Sequence, residues 1–522
     1  MKKLPIGIQT FEKLIDEDYL YVDKTREVYH ALQTGQCLFL SRPRRFGKSL
    51  LISTVKAIFE GRKDLFRGLW IEDKLDWQPS PVIHLDFSLV DYAGDTLQDG
   101  LLRALACVAD DNGLDLRPQG FKEYFYALIR ALAERKGKVA VLIDEYDKPI
   151  IDYMAVLPQA HKNRDILRDF YQVLKGSDPY LRFVLLTGVS KFSRVSVFSG
   201  LNNLQDLTLA PQFGTLAGYT QEELERDFAD YLDDVCRTER LDRADLLTRI
   251  RRWYNGYSWN GTDRVYNPFS ILNFFAQRRF RNYWFATGTP TMLIDMITSQ
   301  RIQVEELERK VVSETLFESY DLDHLDMIAL LFQTGYLTVA DVRQTPQRLQ
   351  YVLKYPNQEV KDAFLTHLLQ AFTQRRSDET AVAAFDLYDA LEAGNLDKFL
   401  AILTGLLAKI PYTLHLPYEA YYHSLIYMIL ALMGVDLDLE VLTSVGRIDG
   451  VLETRDRLYI IEFKYGKAGS DADALAARAI EQIERQRYAE RYANDLRPIF
   501  LLGLAITEDR SFGYRMQNAS LS

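Results

Sequence analysis

The amino-acid sequence predicts an α/β chain in three parts: a parallel α/β domain over 1–210, a helical region over 211–410 and a smaller mixed α/β domain over 411–522. Three observations predict it. Short apolar runs alternate with amphipathic helical patterns through the first part, the order that a parallel sheet with crossover helices imposes. The middle then turns helical and aromatic, with WYNGYSW at Trp253–Trp259 and YNPFSILNFF at Tyr266–Phe275. Strand patterns return only in the last part.

Composition bounds the rest. At about 100–200 residues per domain, 522 residues supply more than one core. The 48% hydrophobic and 26% charged content excludes a disordered or collagen-like chain. A net charge of -10 argues against a non-specific nucleic-acid coat protein and leaves room for a local basic groove. Cys37, Cys107 and Cys236 lie far apart, so neither a disulfide framework nor a thiolate zinc site is expected. The seven His show no metal-binding spacing. MKKLPIGIQTFEKL turns polar within a few residues, and no long apolar run follows. A cytoplasmic protein without a membrane segment is the expectation.

In the first part the expected strands are Gln36–Ser41, Pro81–Phe87, Val139–Asp144 and Arg182–Thr187, with a helix over Phe121–Lys136. Between the first strand and a helix opening at Leu50 stands SRPRRFGKS, Ser41–Ser49. It matches GxxxxGK[ST] at Gly47, Lys48 and Ser49, with Arg42 where the first glycine belongs. Backbone N–H groups around Gly47 face an anion, Lys48 reaches the outer phosphates and Ser49 offers its hydroxyl to Mg2+. Arg44, Arg45, Phe46 and Leu50 complete the expected nucleotide-binding run.

The strand Val139–Asp144 ends in two acids. Asp144 is the expected magnesium ligand, and Glu145 the catalytic group that polarises the attacking water. The strand Arg182–Thr187 ends in a polar residue beside them, so Thr187 is the expected γ-phosphate sensor. Lys191 and Arg194 are candidates for transition-state charge, in cis or toward a second copy in a homo-oligomer, with a solvated loop as the alternative.

These features predict a P-loop NTPase domain of the additional-strand, AAA-like type. YLYVDKT (Tyr19–Thr25), SRPRRFGKS, PVIHLDFS (Pro81–Ser88), VLIDEYDKP (Val141–Pro149) and TGVSKFSRVSVFSGLNNL (Thr187–Leu204) together resemble the AAA-ATPase-like family of bacterial proteins. The resemblance implies ATP as cofactor and a nuclease-like domain at the far end. It also implies that Asp23 and Lys24 lie near the nucleotide; from the residues alone, a surface salt bridge is equally open.

In the middle region a helix over Asp326–Phe332, a hairpin at Gln347–Leu353 between Gly335 and Pro356, and a helix over Glu359–Phe372 suggest a winged-helix-like unit. Its second helix is poor in basic residues, which favours a structural lid over a groove reader.

The last part carries a second constellation. GRIDGV (Gly446–Val451) and YIIEFK (Tyr459–Lys464) are strand-like, joined by a turn through Arg455 and Asp456. Alternation puts Glu462 and Lys464 on one face, and a hairpin brings Asp449 to them. Asp449 and Glu462 are expected to hold Mg2+ beside the Phe463 carbonyl, with Lys464 activating water. This order, and a framework of a helix at Tyr418–Met433, strands near 436–443, 446–453 and 458–464, a helix at 472–492 and a strand at 498–505, resemble the PD-(D/E)XK nuclease superfamily. The resemblance adds Glu419 to the candidate metal ligands.

QIERQRY (Gln482–Tyr488) departs from the QxxxY spacing of one branch, which leaves roles for Gln482 and Tyr488 open. Arg478, Arg485, Arg487 and Arg491 fall on more than one helix face, so a solvated surface is favoured over a phosphate track. His423 is favoured as a core histidine.

The function expected is an ATP-binding and ATP-hydrolysing protein coupled to a Mg2+-dependent nuclease acting on DNA or RNA. The resemblance implies defence or mobile-element biology. The alternative is a nucleotide-dependent regulatory protein whose nuclease-like domain binds without cleaving.

Overall fold

A computed structural model describes the chain apart from residues 95, 118–119, 192–196, 199–200, 202, 285–295, 298–303, 318–321, 323–325, 347, 374–376, 409–418, 434–435, 443–446 and 520–522. The chain divides into two compact units, one of Met1–Thr287 with Arg309–Val360, the other of Gly288–Glu308 with Lys361–Ser522.

The first unit is built on β1 (Cys37–Ser41), β2 (Val82–Asp86), β3 (Val139–Asp144), β4 (Leu181–Gly188) and β5 (Gln205–Asp206), in the order β2-β3-β4-β1-β5. Every pair is parallel. β1 and β3 are buried throughout because helices cover both faces, whereas the edge strand β2 alternates. β4 stands between the strand that feeds the phosphate loop and the strand that ends in the two acids, so three polar strand ends meet at one sheet edge. This is the P-loop NTPase arrangement with an additional strand.

The four expected strands fall within a residue or two of their observed limits, and the helix Phe121–Lys136 is as read. One correction concerns the helix after the loop. It opens at Lys48, not Leu50, because Gly47 takes a left-handed φ of +84° as its N-cap.

The rest of the unit is aromatic and helical. Leu20 and Val22 pack with Phe228, Tyr254, Tyr266 and Phe274 in a second core. The helix Met327–Thr334 is capped by Asp326, whose Oδ1 accepts from the N–H groups of Ile328 and Ala329. The expected hairpin is larger than the sequence suggested: β6 (Lys310–Ser313), β7 (Thr338–Gln344) and β8 (Leu349–Lys354) form an antiparallel sheet in the order β6-β8-β7. The helix Gln358–Thr373 follows β8 in the chain, and from Lys361 onward it belongs to the second unit.

The second unit carries β9 (Asp436–Leu442), β10 (Arg447–Glu453), β11 (Leu458–Gly466), β12 (Ile499–Thr507) and β13 (Phe512–Asn518), in the order β13-β12-β11-β10-β9. Only β11 and β12 are parallel, joined through the crossover helix Ala472–Arg485. β13 had no counterpart in the sequence reading. The helix expected over 472–492 ends at Arg485: Arg487 takes φ +50°, and a short 3-10 turn over Tyr488–Tyr492 changes direction. Among the described residues no helix is long and apolar enough to cross a membrane.

Candidate functional site

The first site is built outward from Gly47. Arg45 (φ +69°) and Gly47 are both left-handed, a winding that turns successive N–H groups toward one concavity. Lys48 follows at once, buried, with Nζ donating to the carbonyls of Arg42 at 2.9 Å and Pro43 at 3.0 Å. Burial lowers its pKa, while the negative charges of Asp144, Asp147 and Glu145 oppose that loss.

Those acids come from the end of β3. Asp144 Oδ1 accepts from the Thr187 hydroxyl at 2.5 Å and from the Glu145 N–H at 3.0 Å. Thr187 lies on the intervening strand β4, which is how it reaches Asp144. Glu145 has a strained φ of +50°, and burial, then Asp144, raise its carboxyl above the usual range. Asp86 sits opposite Asp144 in the β2–β3 register.

The sequence reading missed Asp147, the third acid of VLIDEYDKP. It is 1% exposed, accepts from Val189 N at 3.0 Å and Ser190 N at 2.6 Å, and is pushed up to about 6 by burial. It ties the end of β3 to the loop after Thr187.

A cavity of about 450 Å3 opens over the loop. Arg44, Arg45, Phe46, Gly47, Lys48, Ser49, Leu50 and Glu145 line it, and Ile8, Val22, Leu216, Phe269 and Leu272 give it an apolar wall. Lys24 lines it too, with Nζ 2.6 Å from Glu223 and 2.9 Å from the Thr215 carbonyl. Asp23 serves elsewhere, accepting from the N–H groups of Thr25 and Trp70. The pair that the resemblance implied is thus divided between a cavity wall and a helix start.

Lys191, a charge-stabilising candidate, is engaged within the fold. Its ammonium is paired with Asp206 at 2.7 Å, and both side chains are largely buried. Arg194 lies outside the described residues.

The second site forms where β10 pairs with β11. Register sets Gly450 opposite Ile461, so Asp449 reaches the next residues of β11, and its Oδ2 accepts from Phe463 N at 2.9 Å. Glu462 is 1% exposed. Its Oε1 accepts from Lys464 Nζ at 2.9 Å and from the Gln482 amide, whereas Oε2 is buried and has no hydrogen-bond partner among the described residues. Burial first, then the charge of Asp449, push the Glu462 carboxyl up to about 7 against the pull of Lys464.

Gln482 comes from the crossover helix and Tyr488 hydrogen-bonds to it. Helical spacing alone separates these two residues. The helix break at Arg487 returns Tyr488 to the site, a turn that no periodic pattern reveals. Arg478, Arg485, Arg487 and Arg491 are exposed, as expected. The side chains of Glu419 and His423 lie outside the described residues.

Two carboxylates, one with an orphaned buried oxygen, fit a hard divalent cation. Among the described residues no third acid, His or Cys joins them. In the first site Ser49 lines the cavity over the loop and Asp144 ends β3.

The fold and these two sites define a P-loop ATPase-like domain joined to a nuclease-like domain. Residues 5–198 match the family described as predicted AAA-ATPase, and residues 417–513 match the PD-(D/E)XK nuclease superfamily. An uncharacterized protein in the vnfD 5' region of Azotobacter chroococcum mcd 1 is 38% identical over 518 residues, which is 97% of each chain. The chain belongs to this family of AAA-ATPase-like proteins with a C-terminal PD-(D/E)XK domain.

Two solved structures are also similar. The Aeropyrum pernix ORC1 protein in complex with DNA is 12% identical at a TM-score of 0.27, covering 67% of this chain and 95% of that one. The Aeropyrum pernix ORC2 protein in its ADPNP–ADP complexes is 13% identical at a TM-score of 0.29, covering 82% and 91%.

Proposed function

We propose that the first unit binds and hydrolyses ATP with Mg2+, and that the second is a Mg2+-dependent nuclease acting on DNA or RNA phosphodiesters. The observation that carries the reading is Glu462: a buried carboxylate beside a second carboxylate, with one oxygen tied to Lys464 and the other left without a donor. A core that had no use for a cation has no reason to keep such an oxygen.

In this reading Asp449 and Glu462 hold Mg2+, which supplies Lewis-acid polarisation of a phosphodiester oxygen. Lys464 orients the attacking water and offsets charge on the phosphorus oxygens. Gln482 fixes the rotamer of Glu462, and Phe463 N–H that of Asp449. In the first unit the cavity joins a cationic loop to an apolar wall, which suits a triphosphate attached to a purine. Lys48 meets the outer phosphates, Ser49 and Asp144 hold the metal, Glu145 polarises water and Thr187 senses the γ-phosphate through Asp144.

The test is cleavage of labelled DNA and RNA with and without Mg2+, in wild type, Asp449→Ala and Lys464→Ala. Cleavage that needs Mg2+ and vanishes in both variants supports the reading. Cleavage that survives in both overturns the assignment of the second site.

A further inference from the structure

Arg42 stands where a phosphate loop has its first glycine, and its side chain does not point a charge at solvent. It is 1% exposed. One terminal nitrogen donates to the carbonyls of Ser41 and Thr208 and the other to that of Phe213, each at 2.9 Å. The guanidinium lies 3.8 Å from the centre of the Trp259 ring. Its backbone is held as well: the N–H donates to Gly188 O at 3.2 Å, and the carbonyl receives Lys48 Nζ at 2.9 Å. Among the described residues no carboxylate forms an ion pair with it, and the nearby Asp206 is engaged by Lys191.

The rest of the loop leans the same way. Arg45 stacks on Phe269 at 3.7 Å and donates to Tyr283 O at 3.0 Å. Phe46 meets Tyr257 and Trp259 edge-on, at 4.7 and 5.5 Å between ring centres. Trp284 Nε1 donates to Arg44 O at 3.3 Å. Pro43 packs on Gly335, where an added Cβ would lie 2.8 Å from the Pro43 side chain. A glycine would let the loop turn by itself. An arginine, a proline and a phenylalanine in these contacts make its shape depend on the aromatic segment behind it.

We propose that Arg42 is a positioning residue of the nucleotide site: stacked on Trp259, it sets the carbonyls that hold Lys48, so nucleotide occupancy and the order of residues 257–284 are coupled. The proposal rests on the first unit binding nucleotide. Coupling of this kind is reciprocal, so a nucleotide that reshapes the loop also changes the segment, and loosening the segment weakens the nucleotide.

The experiment uses the full chain with AMPPNP and Mg2+. Affinity is read by titration calorimetry, and amide hydrogen exchange is followed in peptides spanning 257–284, for wild type, Trp259→Leu, Trp259→Phe and Arg42→Lys. In wild type, AMPPNP should raise protection in that segment. Trp259→Leu should weaken affinity about tenfold or more and erase the protection difference, while Trp259→Phe, which keeps a ring face, restores most of both. A residue that only supports the fold would lower the melting temperature and leave affinity and the protection difference as in wild type; that result overturns the proposal.

The wild-type exchange experiment stands even if a variant does not fold. Binding of AMPPNP without any change over 257–284 overturns the coupling and leaves the nucleotide reading intact. Failure of wild type to bind AMPPNP removes the nucleotide reading, and the proposal with it.

Discussion

The two units each centre on a lysine, Lys48 in one and Lys464 in the other, and the surroundings are opposites. Lys48 is a buried cation cradled by backbone carbonyls, with acids at a remove. Lys464 is a partly exposed cation placed against an acid that is itself buried and short of one partner. The first arrangement holds its cation on neutral carbonyls of the loop, with the opposing negative charges on and after β3, and in the proposed reading an anion exchanges those carbonyl partners for phosphate oxygens. The second crowds two carboxylates together, and one ammonium does not settle both. The first site is thus held by hydrogen bonds and packing around one cation, whereas the second holds two carboxylates whose repulsion one ammonium offsets only in part.

The largest effect should come from breaking the second arrangement. Asp449→Ala and Lys464→Ala are each expected to lower Mg2+-dependent cleavage by about 10³-fold or more, since a positioned metal supplies several kcal/mol of transition-state stabilisation. Single-turnover assays at saturating Mg2+ check this. Residual activity within tenfold of wild type would mean that Asp449 and Lys464 do not form the cleavage site.

Next is Lys48→Ala. Removing a buried charged partner costs on the order of 3–5 kcal/mol, so ATP binding should fall below detection by calorimetry. Unchanged affinity would show that ATP binds without Lys48, and the loop would then be misassigned.

How much of this contrast was legible depends on what kind of information each contact uses. The strand ends were readable because apolar runs that stop at Asp144, Thr187 and Lys464 encode both the strand and the position of the polar residue. The sheet order was implied only through the resemblance, because pairing of β4 between β1 and β3 is non-local. The setting of Arg42 was not legible: the motif shows only that it replaces a glycine, and its inward stack on Trp259 depends on a residue far along the chain. Tyr488 was hidden for a different reason. Its return to Gln482 rests on one left-handed residue, Arg487, that carries no glycine signature. β13 was also missed, since FGYRMQN alternates weakly between apolar and polar residues.

A smaller effect sharpens the second site. Gln482→Leu removes the amide that holds Glu462 Oε1 without touching either carboxylate. Partners of metal ligands are typically worth 10–100-fold in metal affinity, so the Mg2+ concentration for half-maximal cleavage should rise by about that factor, with the rate at saturating Mg2+ less affected. An unchanged Mg2+ dependence would mean that the amide positions nothing.

The last prediction compares two buried glutamates whose carboxyls are both pushed up to about 7, Glu359 in the first unit and Glu462 in the second. Burial is the leading cause for each. They differ in their partners: Glu359 Oε2 accepts from the Ser270 hydroxyl and Oε1 from Trp284 N, both at 2.7 Å, so neither oxygen is orphaned. Glu359 is therefore a structural bridge, and its signature should be pH-dependent stability. Its folded value lies above the ordinary 4.5, so its contribution is fully present below about 4.5 and is lost as pH rises through about 7. Glu359→Gln keeps an acceptor for Trp284 N and does not titrate. Relative to wild type, the variant should gain about 2 kcal/mol between pH 5 and pH 8, seen as a melting-temperature difference that grows with pH. Cleavage at fixed pH should stay as in wild type. A stability difference that is flat across that range would mean Glu359 remains ionised through its hydrogen bonds, so that its partners and not its burial set its titration.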